Sequence, residues 1–136
     1  MAELIHSDIT GQIIKSFYSV YNTLGYGFLE KVYENSLAIE LRESGLTVVQ
    51  QKPISVFYKD TNVGEYFADL LVENAVIVEL KSAEKLITAH EAQLLNYLRA
   101  TNIEVGLLLN FGQSPDHKRK VYTNDRKDLQ SYLLDQ

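Results

Sequence analysis

Residues 105–111 read Val-Gly-Leu-Leu-Leu-Asn-Phe, and they constrain the fold more than any other part of the sequence. A short, nearly all-apolar run of this kind is typical of a strand that is buried on both faces. Such a strand lies inside a sheet that has helices on either side. The sequence therefore predicts a layered architecture in which helices flank a sheet.

The residues before this strand supply the first helical layer. Apolar residues in 8–24 recur every three or four positions, which predicts an amphipathic helix with Ser7 or Asp8 as its cap. Gly25-Tyr26-Gly27 then interrupts the pattern. A second helix is predicted over 29–44, ending at Gly45, with buried positions that include Val32, Leu37, Ile39 and Leu41.

The remaining segments alternate between strands and helices. Strands are predicted at about 47–51, 54–59, 64–72, 75–81 and 119–123, with a hairpin turn at Lys59-Asp60-Thr61-Asn62. Helices are predicted at 88–101 and 126–134. The resulting order predicts an α/β or α+β sandwich, a mixed sheet flanked by helices, in a single domain that spans residues 1–136.

Composition limits the chemistry of the chain. Its 136 residues are 46% hydrophobic and 23% charged, as in a soluble globular protein, and none is cysteine. Any metal must therefore be held by oxygen or imidazole ligands. The first residues do not resemble a signal peptide, and no apolar run approaches the roughly 20 residues of a membrane span. We expect a cytoplasmic location and no membrane partner.

Charge does not favour a nucleic-acid enzyme at first sight. The net charge is −5, whereas phosphate backbones attract basic surfaces. The clearest basic segment is His117-Lys118-Arg119-Lys120, followed by Arg126 and Lys127. Two interpretations of it remain open, a patch that contacts phosphates and an ordinary solvated surface.

The hairpin in residues 65–81 places charged residues at the ends of two apolar strands. A two-residue turn would pair Val72 with Ala75. A three-residue turn would give one wholly apolar face, through the pairs Val72–Val76, Leu70–Val78 and Ala68–Leu80. Alternation therefore favours the three-residue turn, whose other face sets Asp69 opposite Glu79 and Phe67 opposite Lys81.

Two opposed carboxylates point to a bound cation. Like charges in this arrangement destabilise a sheet unless a divalent ion lies between them, and hard cations prefer carboxylate oxygens. Such an ion can polarise a phosphoryl oxygen and activate water, and Lys81 faces the same site. The other interpretation is that Asp69 and Glu79 are exposed strand residues that Lys81 neutralises.

Two helices offer further residues. Glu30 and Tyr33 share one helical face, and Gln93 and Tyr97, four apart, share another. Gln93 and Tyr97 could hold a phosphate, and Glu30 could add a metal ligand. For Gln93 and Tyr97 ordinary amphipathic packing is the competing interpretation.

These residues also resemble a known family. The segment Gly27-Phe28-Leu29-Glu30-Lys31-Val32-Tyr33 fits the GxxExxY signature of a family of small prokaryotic proteins. The resemblance covers roughly residues 5–123 and continues through Gly64-Glu65-Tyr66-Phe67-Ala68-Asp69-Leu70-Leu71, Val78-Glu79-Leu80-Lys81, Ala92-Gln93-Leu94-Leu95-Asn96-Tyr97-Leu98 and Gly106-Leu107-Leu108-Leu109-Asn110-Phe111-Gly112.

The family is grouped with the PD-(D/E)XK nucleases and looks most like their RecB-like branch. The resemblance implies a restriction-endonuclease-like fold with an αβββαβ core. It implies that Asp69 and Glu79 bind Mg²⁺ or Mn²⁺, that Lys81 assists catalysis and that Gln93 and Tyr97 belong to the active site. Glu30 matches the expected additional acidic ligand.

The predicted function is a metal-dependent nuclease that hydrolyses phosphodiester bonds by activating water, with DNA favoured over RNA as substrate. One alternative is a non-catalytic module that binds nucleic acid or protein. Another is a hydrolase of small phosphorylated molecules. A homodimer remains open, because a lone chain of 136 residues offers little surface for gripping a duplex.

Overall fold

A computed structural model describes residues 5–127 of the chain. Its first helix, α1, spans Ser7–Leu24 and buries the stripe that contains Ile13, Phe17 and Val20. Gly25 ends the helix at φ 69°, a conformation that glycine adopts without strain. The predicted cap is wrong. His6 occupies the capping position without a side-chain hydrogen bond, and Ser7 is already helical.

The second helix, α2, spans Glu30–Glu43. Leu37 and Leu41 are fully buried, as predicted, but Val32 and Ile39 are 38% and 56% exposed. The buried face of α2 instead contains Tyr33, Glu34, Leu37, Ala38 and Leu41. Val32 and Ile39 lie off this stripe, so their predicted burial is wrong.

A five-stranded sheet follows, with strands in the order β1-β2-β3-β4-β5. Neighbouring strands are antiparallel except β3 and β4, which are parallel. The helix α3, Thr88–Arg99, connects that parallel pair, as a crossover must. The strands are β1, Val48–Tyr58; β2, Thr61–Val72; β3, Val76–Lys81; β4, Val105–Asn110; and β5, Asp116–Val121.

Strand β1 was predicted as two strands separated near Lys52 and Pro53. It is one strand, because β1 lies at the edge of the sheet, where the missing N–H of Pro53 is tolerated. Its pairing with β2 is irregular between Val56 and Phe57. The predicted hairpin turn is confirmed at Lys59 and Asp60, which both have positive φ, as two-residue hairpin turns require.

Hydrophobic cores lie on both faces of the sheet. On one face α1 and α2 cover residues of β2, β3 and β4 that include Leu70, Val78 and Leu107. On the other face α3 covers Leu71, Ile77 and Leu108. All six residues of β4 are buried, which confirms the prediction from its apolar run.

This architecture is the predicted α/β fold. The order α2-β1-β2-β3-α3-β4 corresponds to the αβββαβ core of restriction-endonuclease-like proteins. Strand β5 begins three residues earlier than predicted, and a single 3₁₀ turn at Asn124–Arg126 follows it. Most of the helix predicted at 126–134 lies outside the described residues. Among the helices that the structure describes, none is long and apolar enough to cross a membrane.

The contact between α3 and β4 gives a test of this packing. A Cβ on Gly106 would lie 2.7 Å from Cδ1 and 3.0 Å from Cγ of the buried Leu94. We therefore expect Gly106→Ala to lower the free energy of unfolding by about 1–3 kcal/mol, because it overpacks the core. Urea unfolding monitored by circular dichroism measures the change.

Gly11→Ala is the matched control. Gly11 lies within α1, and an added Cβ would meet nothing within 4 Å. Alanine should stabilise the helix there by about 0.5–1 kcal/mol. Equal effects of the two substitutions would contradict the close approach of α3 to β4.

Candidate functional site

The pairing of β2 with β3 sets the register of the charged residues. The pairs are Val72 with Val76, Leu71 with Ile77 and Leu70 with Val78. This is the register of the predicted three-residue turn, and the two-residue alternative is wrong. Glu73 and Asn74 in the turn both have positive φ.

Regular pairing stops after Leu70 and Val78, and the next residues, Asp69 and Glu79, bridge the strands with their side chains. The N–H of Asp69 donates to Oε2 of Glu79 at 3.1 Å. The N–H of Leu80 donates to Oδ2 of Asp69 at 2.8 Å. Carboxylate oxygens therefore take the place of the backbone carbonyls that would continue the ladder.

The alternation of β2 also changes at Asp69. Leu70 and Leu80 belong to the core beneath α1 and α2, whereas Ala68 belongs to the core beneath α3. The prediction that Ala68 and Leu80 share one apolar face is therefore wrong. The prediction assumed that side chains alternate without interruption along β2. Regular strand geometry is interrupted at Asp69, so the alternation changes there.

Glu79 is a buried carboxyl group, only 5% exposed. Burial raises its pKa to about 9, and the side chain and negative charge of Asp69 add to the increase, whereas the backbone N–H of Asp69 and the charge of Lys81 act in the opposite direction. Without a cation, Glu79 is therefore protonated at neutral pH. The interpretation of Asp69 and Glu79 as merely exposed strand residues does not fit Glu79.

A chain of hydrogen bonds connects the end of β3 to α3. Nζ of Lys81 donates to Oε1 of Gln93 at 3.3 Å, and Nε2 of Gln93 donates to the hydroxyl of Tyr97 at 3.2 Å. Burial raises the pKa of Tyr97 to about 12, and the charges of Glu79 and Asp69 contribute to this. The structure therefore brings these five predicted residues together.

Glu30 and Tyr33, both in α2, make different contacts. Tyr33 is fully buried, donates its hydroxyl to the carbonyl of Gly25 at 2.6 Å and accepts from the N–H of Phe28 at 3.2 Å. It thereby fixes the loop before α2. Glu30 is exposed, and its Oε2 accepts from the N–H of Ser82 at 3.2 Å.

Two residues of this region were not predicted. Glu34 in α2 is 4% exposed, and its Oε1 accepts from Nε2 of Gln51 at 2.7 Å. The same nitrogen lies 3.4 Å from Oδ1 of Asp69. A signal for Glu34 was available, because it occupies the stripe of Leu37, Ala38 and Leu41. No sequence signal marks Gln51.

The carboxyl groups of the site determine which metal ions it could hold. Within residues 5–127, no three His, Cys, Asp or Glu side chains are grouped to hold one. Glu30 is therefore not brought together with Asp69 and Glu79 as a third ligand. The pair alone still suits Mg²⁺ or Mn²⁺, which often use one or two carboxylates and complete their coordination with water and substrate phosphate.

The basic segment on β5 contacts the protein itself. Arg119 donates to Thr10 and to the carbonyl of Ile5, and Lys120 forms an ion pair with Glu91. Lys127 donates to the carbonyls of Thr101 and Ile103 at 3.0 and 2.7 Å. These contacts favour a structural role for the cations of Arg119, Lys120 and Lys127.

Comparison with models of protein families matches residues 7–122 of the chain to the PD-(D/E)XK nuclease superfamily. The match includes every site residue described above. Searches of curated proteins and of solved structures gave no match.

The raised pKa of Glu79 predicts how stability depends on pH in metal-free protein. The folded state keeps a proton that the unfolded carboxyl releases near pH 4.5, so the stabilising contribution is complete below that pH. It is lost as the pH rises through about 9. We expect Glu79→Gln to remove this decline and to stabilise the chelator-treated protein at pH 9, on the order of a few kcal/mol.

Urea unfolding at pH 5, 7 and 9 in chelator measures this dependence. Glu43→Gln, on the exposed surface of α2, is the matched control and should keep the wild-type pH dependence. If the free energy of unfolding falls equally with pH in wild type and in Glu79→Gln, the conclusion that Glu79 is protonated in the folded protein is wrong.

Proposed function

The chain belongs to the PD-(D/E)XK nuclease superfamily, and from this membership we propose that it is a metal-dependent nuclease that hydrolyses phosphodiester bonds in DNA by activating water. The observation that carries the proposal is the separation of β2 from β3 at Asp69 and Glu79. There two carboxyl groups and Lys81 meet the helical pair Gln93 and Tyr97.

We propose that Asp69 and Glu79 are the principal ligands of Mg²⁺ or Mn²⁺. The bound cation would neutralise phosphate charge and make water more acidic. It would also favour the ionised form of Glu79, whose proton must leave for the carboxylate to act as a ligand. Glu30 remains a proposed additional ligand and would have to exchange its bond to Ser82 N–H for that role.

Lys81, Gln93 and Tyr97 are proposed to act on the phosphate and the attacking water. Lys81 supplies a positive charge on the same strand as Glu79, where negative charge grows in the transition state. Gln93 accepts from Lys81 and holds its ammonium group in place. The Tyr97 oxygen accepts from Gln93, and its pKa of about 12 keeps its own hydrogen available for donation.

We further propose that the chain is a GxxExxY protein of the RecB-like branch, folded as one domain over residues 1–136. The contacts of the motif residues support this. Tyr33 fixes the Gly25-to-Phe28 loop, and Glu30 reaches the residue that follows β3. The helical pair Gln93 and Tyr97 lies against that same strand end.

The central test is Lys81→Ala. We expect it to reduce DNA cleavage by at least roughly 100-fold, because one cation that stabilises developing charge is lost. The fold should persist, since the side chain is only partly buried. Cleavage of single- and double-stranded, linear and circular DNA in Mg²⁺ or Mn²⁺, with circular dichroism alongside, measures both.

Lys85→Ala is the matched control, because it also removes one lysine, from an exposed position four residues further along the chain. It should cleave like wild type. Equal cleavage by wild type and Lys81→Ala would refute the role of Lys81.

The alternative function is a non-catalytic module that binds nucleic acid or protein on a nuclease fold. The net charge of −5 favours the protein-binding form of this module, because an acidic surface attracts phosphate backbones poorly. Thermal unfolding in increasing Mn²⁺ separates the two functions, because a cation that binds only the folded state raises the midpoint. A midpoint that does not change with Mn²⁺ would favour the alternative.

A further inference from the structure

Asp69 lies at an interruption of the sheet on both sides. Neither Gln51 of β1 nor Glu79 of β3 pairs with it in a ladder, although Gln50 pairs with Leu70 and Lys52 with Ala68. Its position therefore depends on what holds its side chain. Leu80 N–H binds one carboxylate oxygen, and Gln51 approaches the other.

Gln51 links Asp69 to a buried carboxylate. Its side-chain nitrogen carries two hydrogens and lies 2.7 Å from Oε1 of Glu34 and 3.4 Å from Oδ1 of Asp69. Glu34 is itself fixed, because Oε2 accepts from Gln50 at 2.7 Å and Lys31 lies 3.1 Å away. The series of hydrogen bonds that runs from Glu34 in α2 through Gln51 to Asp69 in β2 thus begins at a carboxylate that is itself held in place.

The backbone of Gln51 is unusual for its position. It has φ 54° within β1, where neither glycine nor a turn explains a left-handed conformation. A strained residue of this kind persists when its surroundings fix it, and such residues are frequent at functional sites. Here the conformation accompanies the contact of the side chain with both carboxylates.

We propose that Glu34 and Gln51 are positioning residues that hold the Asp69 carboxylate in the orientation in which it binds the catalytic cation. The role in catalysis rests on the proposed nuclease function. Glu34 anchors the amide of Gln51, and Gln51 fixes Oδ1 of Asp69 while Leu80 N–H fixes Oδ2. Neither Glu34 nor Gln51 needs to touch metal or substrate for this role.

The variant Gln51→Gly separates positioning from folding. Glycine adopts a positive φ without strain, so the backbone is relieved while the contact with Asp69 is lost. Glu34 is not left unpaired, since Lys31 and Gln50 still bind it. We expect the unfolding midpoint to stay at or above that of wild type, with Mn²⁺ affinity and kcat each lowered roughly 10- to 100-fold. KM for DNA, measured at a Mn²⁺ concentration that saturates each protein, should stay unchanged.

Lys59→Gly is the matched control. Lys59 also has a positive φ, 49°, but it lies in the hairpin turn between β1 and β2. It should keep or raise the unfolding midpoint and leave Mn²⁺ affinity and kcat as in wild type. A Gln51→Gly protein with wild-type Mn²⁺ affinity and kcat would overturn the positioning role. A loss of Mn²⁺ affinity and kcat that is explained entirely by unfolding would overturn it as well.

A second measurement does not depend on nuclease activity. The Leu80 amide donates to Asp69, so its hydrogen exchange in metal-free protein reports the orientation of that carboxylate. We expect several-fold faster exchange in Gln51→Gly than in wild type, and no change in Lys59→Gly. Unchanged exchange in Gln51→Gly would overturn the inference. Wild type that neither binds Mn²⁺ nor cleaves DNA would instead refute the proposed function.

Glu34→Gln tests the hydrogen bond between Glu34 and Gln51. It keeps an oxygen that can accept from Gln51 but removes the buried charge that anchors it, so a smaller loss of Mn²⁺ affinity is expected. In the double variant with Gln51→Gly the two losses should not add, because both act through one contact. Additive losses would show that Glu34 does not act through Gln51.

Discussion

The site depends on the way in which β2 and β3 separate at Asp69 and Glu79. Two ionised carboxylates facing each other in a buried ladder would repel and weaken the pairing of the strands. The strands part instead, and each carboxyl group accepts an N–H of the opposite strand. The same bonds that end the ladder therefore fix both side chains, and the pKa of Glu79 is raised mainly by burial and further by the nearby Asp69 side chain.

The two helical layers reach this point from opposite faces of the sheet. From one face α2 supplies Glu34, while its Glu30 binds the residue that follows β3, and from the other face α3 supplies Gln93 and Tyr97. Their meeting requires an interior strand covered on both sides, which β4 provides beside β3. The apolar run at 105–111 and the polar site are thus consequences of one layered arrangement.

Much of this arrangement was predictable because it follows from periodicity. A wholly apolar face over Leu70, Val72, Val76 and Val78 is compatible with one register, and that register brings Asp69 towards Glu79. The i, i+4 spacing of Gln93 and Tyr97 likewise fixes their common helical face. These predictions were possible because each rests on a pattern that repeats over several residues.

The features that were missed are single breaks in such patterns. The positive φ of Gln51 and the change of face at Ala68 accompany contacts around Asp69, which no local propensity encodes. Glu34 is an intermediate case. Its place on the buried stripe of α2 was readable, but its partners Gln50 and Gln51 lie on β1 and are known only from the tertiary structure.

Charge explains why a cation would be central to the proposed activity. The net charge is −5, and Arg119, Lys120 and Lys127 of the basic segment are engaged within the protein. A phosphate that approaches this point in the metal-free protein meets the charge of Asp69, with Lys81 as the only cation on β3. A divalent ion that displaces the proton of Glu79 would add positive charge there. On this chain, a bound divalent ion would therefore supply much of the attraction for phosphate, because the net charge of −5 offers little of its own.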